Sequence, residues 1–113
     1  MMSTQEILRT LGIGQRFKGH ALIVAALNRI STDECSLYSA SSNLFKPIAA
    51  AIPCDVRTIE RNIRTAVDHA WRTNPEYLIF LAGYPMSQSP TVLEFLDILN
   101  TYMLREQSGK GIS

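Results

Sequence analysis

Residues 48–71, IAAAIPCDVRTIERNIRTAVDHAW, decide how the chain folds. A short apolar run ends at Pro53, which pushes the residue before it out of the helical region. Asp55 then suits an N-cap, because its carboxylate can accept from the free N–H groups of the first turn. At about 100° per residue, Val56, Ile59, Ile63, Ala66, Val67 and Ala70 gather on one side of the helix that follows. Arg57, Arg61 and Arg64 gather on the other, within a sector of roughly 60° by the same geometry. The apolar stripe marks the face packed on a core. The arginine stripe is either a solvated face or a surface built to meet an anion. A helix over 47–51, a tight turn at 52–54 and a long helix from Asp55 to Trp71 make the plan of a helix-turn-helix. In that motif the first helix braces and the second lies in the major groove of DNA.

Working outward, the pattern stays helical. STQEILRTLG (3–12) opens with Ser3 and Glu6 in capping-box spacing and closes at Gly12. RFKGHALIVAALNRIS (16–31) is apolar nearly all round, as in a helix buried on more than one side. Gly19, near its start, sits in a first turn or permits close packing. STDECSLYSASSN (31–43) is polar and serine-rich and is predicted to be a loop or weakly helical connection. In LFKPIAAAIP, Pro47 is expected in a first helical turn. NPEYLIFLAG (74–83) has Asn74 as N-cap, Pro75 at the first helical position and Gly83 as stop. SPTVLEFLDILNTYMLREQ repeats the Ser-Pro opening, and the tail SGKGIS is expected to fray. No segment alternates with period two. The expected fold is all-α, with about six helices around a helix-turn-helix and residues 1–113 as a single domain.

Composition bounds the function. A chain of 113 residues, 46% hydrophobic and 19% charged, can bury a core without metal or disulfide staples. No apolar run approaches the eighteen or so residues that span a bilayer, and the first ten residues lack a signal-peptide core. A cytoplasmic protein with no membrane partner is therefore expected. Cys35 and Cys54 have neither CxxC spacing nor a histidine at ligand distance in sequence, so free thiols are expected and no metal or other cofactor. The chain has no nucleophile elbow, phosphate-binding glycine loop or metal-ligand cluster, which argues against an enzyme. A net charge of +1 does not announce a nucleic-acid binder, but local clustering sets the field at a surface. The arginine stripe supplies that clustering.

Arginine suits such a surface because its fork can donate two hydrogen bonds to O6 and N7 of guanine. Glu60, at the edge of the stripe, could accept from the amino group of cytosine. Lys18 and His20 flank Gly19 at a predicted helix start, where a cation and free N–H groups could hold a phosphate. His69 and Trp71 are expected to pack at the core or its rim, as are Tyr77, Phe80 and Tyr84. Glu94 and Asp97 are expected on a solvated face.

The run IERNIRTAVDHAW resembles the recognition helix of the C-terminal DNA-binding effector domain of the master sporulation response regulator of spore-forming Firmicutes (the stage-zero sporulation regulator A family). That family has the form xxVERAIRxAIxxAW, matched here by Ile59, Glu60, Arg61, Ile63, Arg64, Ala66, Val67, Ala70 and Trp71. LGIGQRFKGH looks like the family's IGVPxxIKGY, FLAGY like its SLFGY, and LEFLDILNTYMLRE like its closing helix. The resemblance covers roughly residues 5–106. It implies a six-helix effector that binds double-stranded DNA at a TGTCGAA-like element as tandem dimers and contacts a sigma factor of RNA polymerase through about residues 74–83. By position it places Glu60, Arg61 and Arg64 at base and adjacent phosphate contacts; Arg57, Thr58 and Thr65 of the same helix, with Lys18 and His20 at the start of the second helix, complete the candidate DNA-binding set. Thr58 stands where the family has an arginine, so a binder with altered base preference is one alternative. Family proteins begin with a phosphorylatable receiver domain that this sequence does not carry. A protein-interaction module that pairs with or antagonises a full-length regulator is the other alternative.

Overall fold

Ser3 begins the first helix as its spacing to Glu6 predicts: the Glu6 N–H donates to Ser3 Oγ at 3.2 Å. The structure, a computed structural model, describes residues 3–32, 40–52 and 54–112, so Cys35 and Pro53 lie outside the described residues. Six helices run through them: α1 (Thr4–Thr10), α2 (Lys18–Thr32), α3 (Ala40–Ala51), α4 (Val56–Thr73), α5 (Pro75–Ala82) and α6 (Val92–Ile112). The fold is all-α.

Local chemistry accounts for most helix ends. Gly12 takes a left-handed φ of 86°. Its N–H donates to Arg9 O at 2.9 Å while the Ile13 N–H reaches back to Leu8 O at 2.8 Å, the paired bonds of a Schellman stop. Buried Leu8 and Ile13 provide the apolar contact that accompanies it. Asn74 serves three elements at once. Its N–H closes α4 on Ala70 O at 2.9 Å, its Oδ1 caps α5 by accepting from the Tyr77 N–H at 3.3 Å, and its Nδ2 donates to Thr10 O at the end of α1 at 3.2 Å. Gly83, also left-handed, ends α5.

Three expectations are corrected. Pro47 lies inside α3 rather than in a first turn, because the helix already begins at Ala40 within the serine-rich stretch. The missing N–H of an interior proline is costly, but Leu44 and Phe45 ahead of it and Ile48 after it are all buried, and that burial holds both halves in one helix. The last helix is capped by Thr91 rather than by the Ser-Pro pair: the Glu94 N–H donates to Thr91 Oγ1 at 3.1 Å and the Thr91 N–H to Glu94 Oε1 at 3.3 Å. Its C-terminal end continues through the tail to Ile112.

The helices share one core. α2 is its hub, packed on α1, α3, α4 and α6, and α4 contacts α3, α5 and α6 as well. Ile59, Ile63, Ala66, Val67 and Ala70 of α4 are all buried, so the apolar stripe read from sequence is the packed face. α2 and α4 come into backbone contact at Gly19. A Cβ built there would lie 2.5 Å from the Asn62 carbonyl oxygen and 3.1 Å from Ala66 Cβ. Both readings of Gly19 therefore hold: it is in the first turn of α2, and it lets two helices meet backbone to backbone.

Alanine is normally the better helix former by about 0.8–1.0 kcal/mol, so Gly19→Ala would stabilise an isolated α2. In the folded protein it must push against rigid backbone, and overpacking of that kind costs about 1–3 kcal/mol. The expected outcome is a net loss of stability, read as a lower denaturant midpoint in equilibrium unfolding. A variant as stable as the parent would mean that the helices separate freely.

Candidate nucleic-acid interface

Helix α4 positions the candidate site. Asp55 caps it in extended geometry, its Oδ1 accepting from the Thr58 N–H at 2.7 Å. From that fixed start Arg57, Arg61 and Arg64 all project from the exposed side, opposite the buried stripe. Arg57 to Arg64 spans about 10 Å of helix axis, comparable to the width of the major groove at about 12 Å. None of the three forms a salt bridge among the described residues, so their guanidinium donors face solvent. Thr65 lies on the same side and its hydroxyl is occupied, donating to Arg61 O at 3.0 Å. Thr58 and Glu60 are half-buried at the two edges of the stripe.

The structure separates Lys18 from His20. Lys18 is exposed at the start of α2 and, with Leu22, Ile52, Thr58 and Asn62, lines a cavity of about 320 Å³ beside the N-terminal half of α4. His20 is only 8% exposed and lines a different cavity with Gln5, Gln15 and Asn28. Residues two positions apart on a helix point about 200° apart around its axis, so one helix start cannot present both side chains to one phosphate. His20 is therefore withdrawn from the candidate set. His69 packs as expected: its ring lies 4.6 Å from that of Phe17 and it shares a 3.2 Å hydrogen bond with Thr73 Oγ1. Trp71 is half-buried against the core.

Two residues that bound the stripe escaped the sequence reading, although the helical wheel carries both. Asp68 lies about 20° from Arg57 in projection and Arg72 about 60°. Asp68 is half-buried and accepts from Ser89 Oγ at 3.0 Å, which draws the α5–α6 loop against the open side of α4. A carboxylate at that point repels phosphate, so the anion-attracting part of the helix ends at about Thr65.

A second surface lies on α5 and α6. Tyr77, Phe80 and Tyr84 were expected to pack. Tyr77 is half-buried, but Phe80 is 63% exposed and Tyr84 43% exposed. Helix α5 buries Leu78, Leu81 and Ala82, and among the described residues no helix covers the opposite side, where the Phe80 ring stacks 6.0 Å from that of Tyr77 and lies tilted 6.1 Å from that of Tyr102. Burial pushes the Tyr77 phenol above its usual value, with Tyr102 adding to the effect. Glu94 is no free surface carboxylate either, since besides capping α6 it accepts from the Tyr84 hydroxyl at 3.3 Å. Among the described residues no group of three or more His, Cys, Asp or Glu side chains could hold a metal. No helix among them is long and apolar enough to cross a membrane.

The model of one protein family, described as sporulation initiation factor Spo0A C terminal, matches residues 4–103. No solved structure gives a significant match.

The N-cap links the interface to pH. The Thr58 N–H and then its hydroxyl hold the Asp55 carboxyl below the ordinary carboxylate range, more than offsetting a small desolvation effect, and Arg61 and Arg57 add to the lowering. A depressed folded-state value contributes stability that is complete above the unfolded value, about 3.9, and is lost as pH falls through the folded one. Asp55→Asn keeps a capping oxygen but does not titrate. The stability advantage of the parent over this variant should shrink as pH drops from about 5 to 2, measured by chemical denaturation at each pH. A constant difference across that range would remove the charged cap from the account.

Proposed function

The chain belongs to the Spo0A C-terminal family, the DNA-binding effector domain of a sporulation regulator, and from that membership we propose a sequence-specific reader of duplex DNA. Helix α4 enters the major groove of a TGTCGAA-like element. Arg61 and Arg64 are the principal base contacts, and Glu60 tunes base preference by accepting from cytosine. Arg57 and Lys18 hold phosphates on either side, and Thr58 and Thr65 border the contact. In this reading residues 1–113 act as one helix-turn-helix domain, with α3 bracing and α4 reading.

One observation carries the proposal. Three arginines with no salt-bridge partner among the described residues project from the exposed side of a helix whose other side is packed on the core, in a chain that belongs to a DNA-binding family. Opposite charges at i,i+4 spacing, as in Glu60–Arg64 and Arg64–Asp68, can serve solubility alone, but neither pair closes a salt bridge among the described residues, which leaves the three guanidinium groups available to an anion. The exposed ring of Phe80 supports a further element of the family's activity, a contact between α5 and a sigma factor of RNA polymerase. An exposed aromatic beside half-buried Tyr77 and Tyr102 suits a protein partner better than it suits water.

Fluorescence anisotropy on a duplex carrying the element, against a scrambled duplex of equal length, tests the reading. The matched duplex should bind at least about tenfold more tightly, since each bidentate base contact is worth about 1–3 kcal/mol of discrimination. Arg61→Ala should remove most of that preference. Arg57→Ala should weaken both duplexes alike and make the log K against log salt slope shallower by about 0.9. Equal binding to both duplexes by the parent would overturn the DNA-reading proposal and favour an interaction module.

A further inference from the structure

A cleft of about 510 Å³ opens between the end of α1 and the α1–α2 loop, lined by Arg9, Gly12, Gly14, Gln15, Arg16 and Phe17. Both arginines are exposed, and neither has a salt-bridge partner among the described residues. Arg16 rides on a tight turn closed by the Phe17 N–H donating to Gly14 O at 3.1 Å. The Phe17 ring against His69 fixes that turn to α4. Gly12 is placed the same way: its left-handed φ and the Thr73 Cγ2 that a Cβ would meet at 2.9 Å explain why it is glycine. The cleft is thus anchored to the flank of the recognition helix, beyond the point where Asp68 interrupts the arginine stripe.

Gly14 has no such internal explanation. Its φ is not left-handed, and a Cβ built on it would meet nothing within 4 Å. Neither packing nor backbone geometry asks for glycine there. What its missing side chain provides is bare backbone in the wall of a cleft that two arginines also line. That combination suits a phosphate: arginine forks donate paired hydrogen bonds to its oxygens, and a glycine allows the group to approach the main chain closely.

We infer that the Arg9–Gly14–Arg16 cleft is a phosphate-binding site, and that the group it takes is a backbone phosphodiester of the duplex whose major groove receives α4. The cleft then clamps one strand at the C-terminal end of α4, as Lys18 and Arg57 do nearer its start. This inference rests on the DNA-reading proposal for the source of the phosphate. A free phosphate ester would bring the same chemistry to the same residues.

The test uses the full chain and three variants: Arg9→Ala/Arg16→Ala, Gly14→Ala, and Arg105→Ala on α6 as a control for loss of charge elsewhere. Gly14→Ala should fold with undiminished thermal stability, because its methyl group points into open space. The double variant and Gly14→Ala should both bind matched and scrambled duplexes more weakly, the double variant by roughly tenfold, with its salt slope shallower by about 0.9 for one lost phosphate. The matched-to-scrambled ratio should not change, and Arg105→Ala should bind like the parent. If the parent prefers the matched duplex but both cleft variants bind as it does, the DNA clamp is overturned. Calorimetric titration with inorganic pyrophosphate separates the sources: saturable binding lost in the double variant, with DNA affinity unchanged, would assign the cleft to a free phosphate ester instead. If the parent shows no duplex preference, the DNA-reading proposal falls on its own, and absence of pyrophosphate binding would then overturn the cleft as well.

Discussion

Everything at the candidate interface depends on the crossing of α2 over α4 at Gly19. A side chain there would collide with the Asn62 carbonyl, so the two helices meet at a distance that only glycine allows. The approach presses one side of α4 against α2 and turns the opposite side outward. Rotation of α4 about its own axis is thereby set, and with it the direction of every arginine on the stripe. The same contact carries Lys18 to the N-terminal half of α4, where it shares a cavity with Thr58 and Asn62. The chain entering α2 lies against the other end, through Phe17 on His69 and Gly12 against Thr73.

Electrostatics then divides the exposed length of α4. Asp55 marks the start, and its charge is taken up by the cap and by the fields of Arg61 and Arg57. Asp68 marks a limit farther on, held by Ser89. Between them the exposed side sets three arginines against one carboxylate, Glu60 at its edge, which is why a nearly neutral chain can still attract an anion at one place. The aromatic surface around Phe80 lies on α5 and α6, and the stripe on α4. A protein contact there and a nucleic-acid contact at the stripe would call on different residues.

Features that depend on near neighbours in sequence were legible. The capping pairs at Ser3, Asp55 and Asn74, the glycine stops at Gly12 and Gly83, and the buried and exposed stripes of α4 all follow from spacings of three or four residues. Other features were misread, for different reasons. Pro47 looked like a helix start, but the burial of Leu44 and Phe45 extends α3 through it. Ser89 and Pro90 looked like a cap, yet Thr91 and Glu94 satisfy each other's donors better. Phe80 looked like core, since apolar residues surround it in sequence, but among the described residues no element covers that side of α5.

The sequence by itself determined that the chain is helical, where most helices begin and end, and that one of them carries apolar residues on one side and arginines on the other. These are short-range consequences of hydrogen-bond capping and of 3.6-residue periodicity, and a single chain displays them without reference to its neighbours. Only the tertiary structure decided which side chains share a surface. It sent His20 inward while leaving Lys18 beside α4, drew Ser89 onto Asp68, and set Arg9 and Arg16 around a bare Gly14. Those outcomes depend on which segments pass over one another, and close-packed contacts between segments far apart in sequence are set by the shapes of both partners at once.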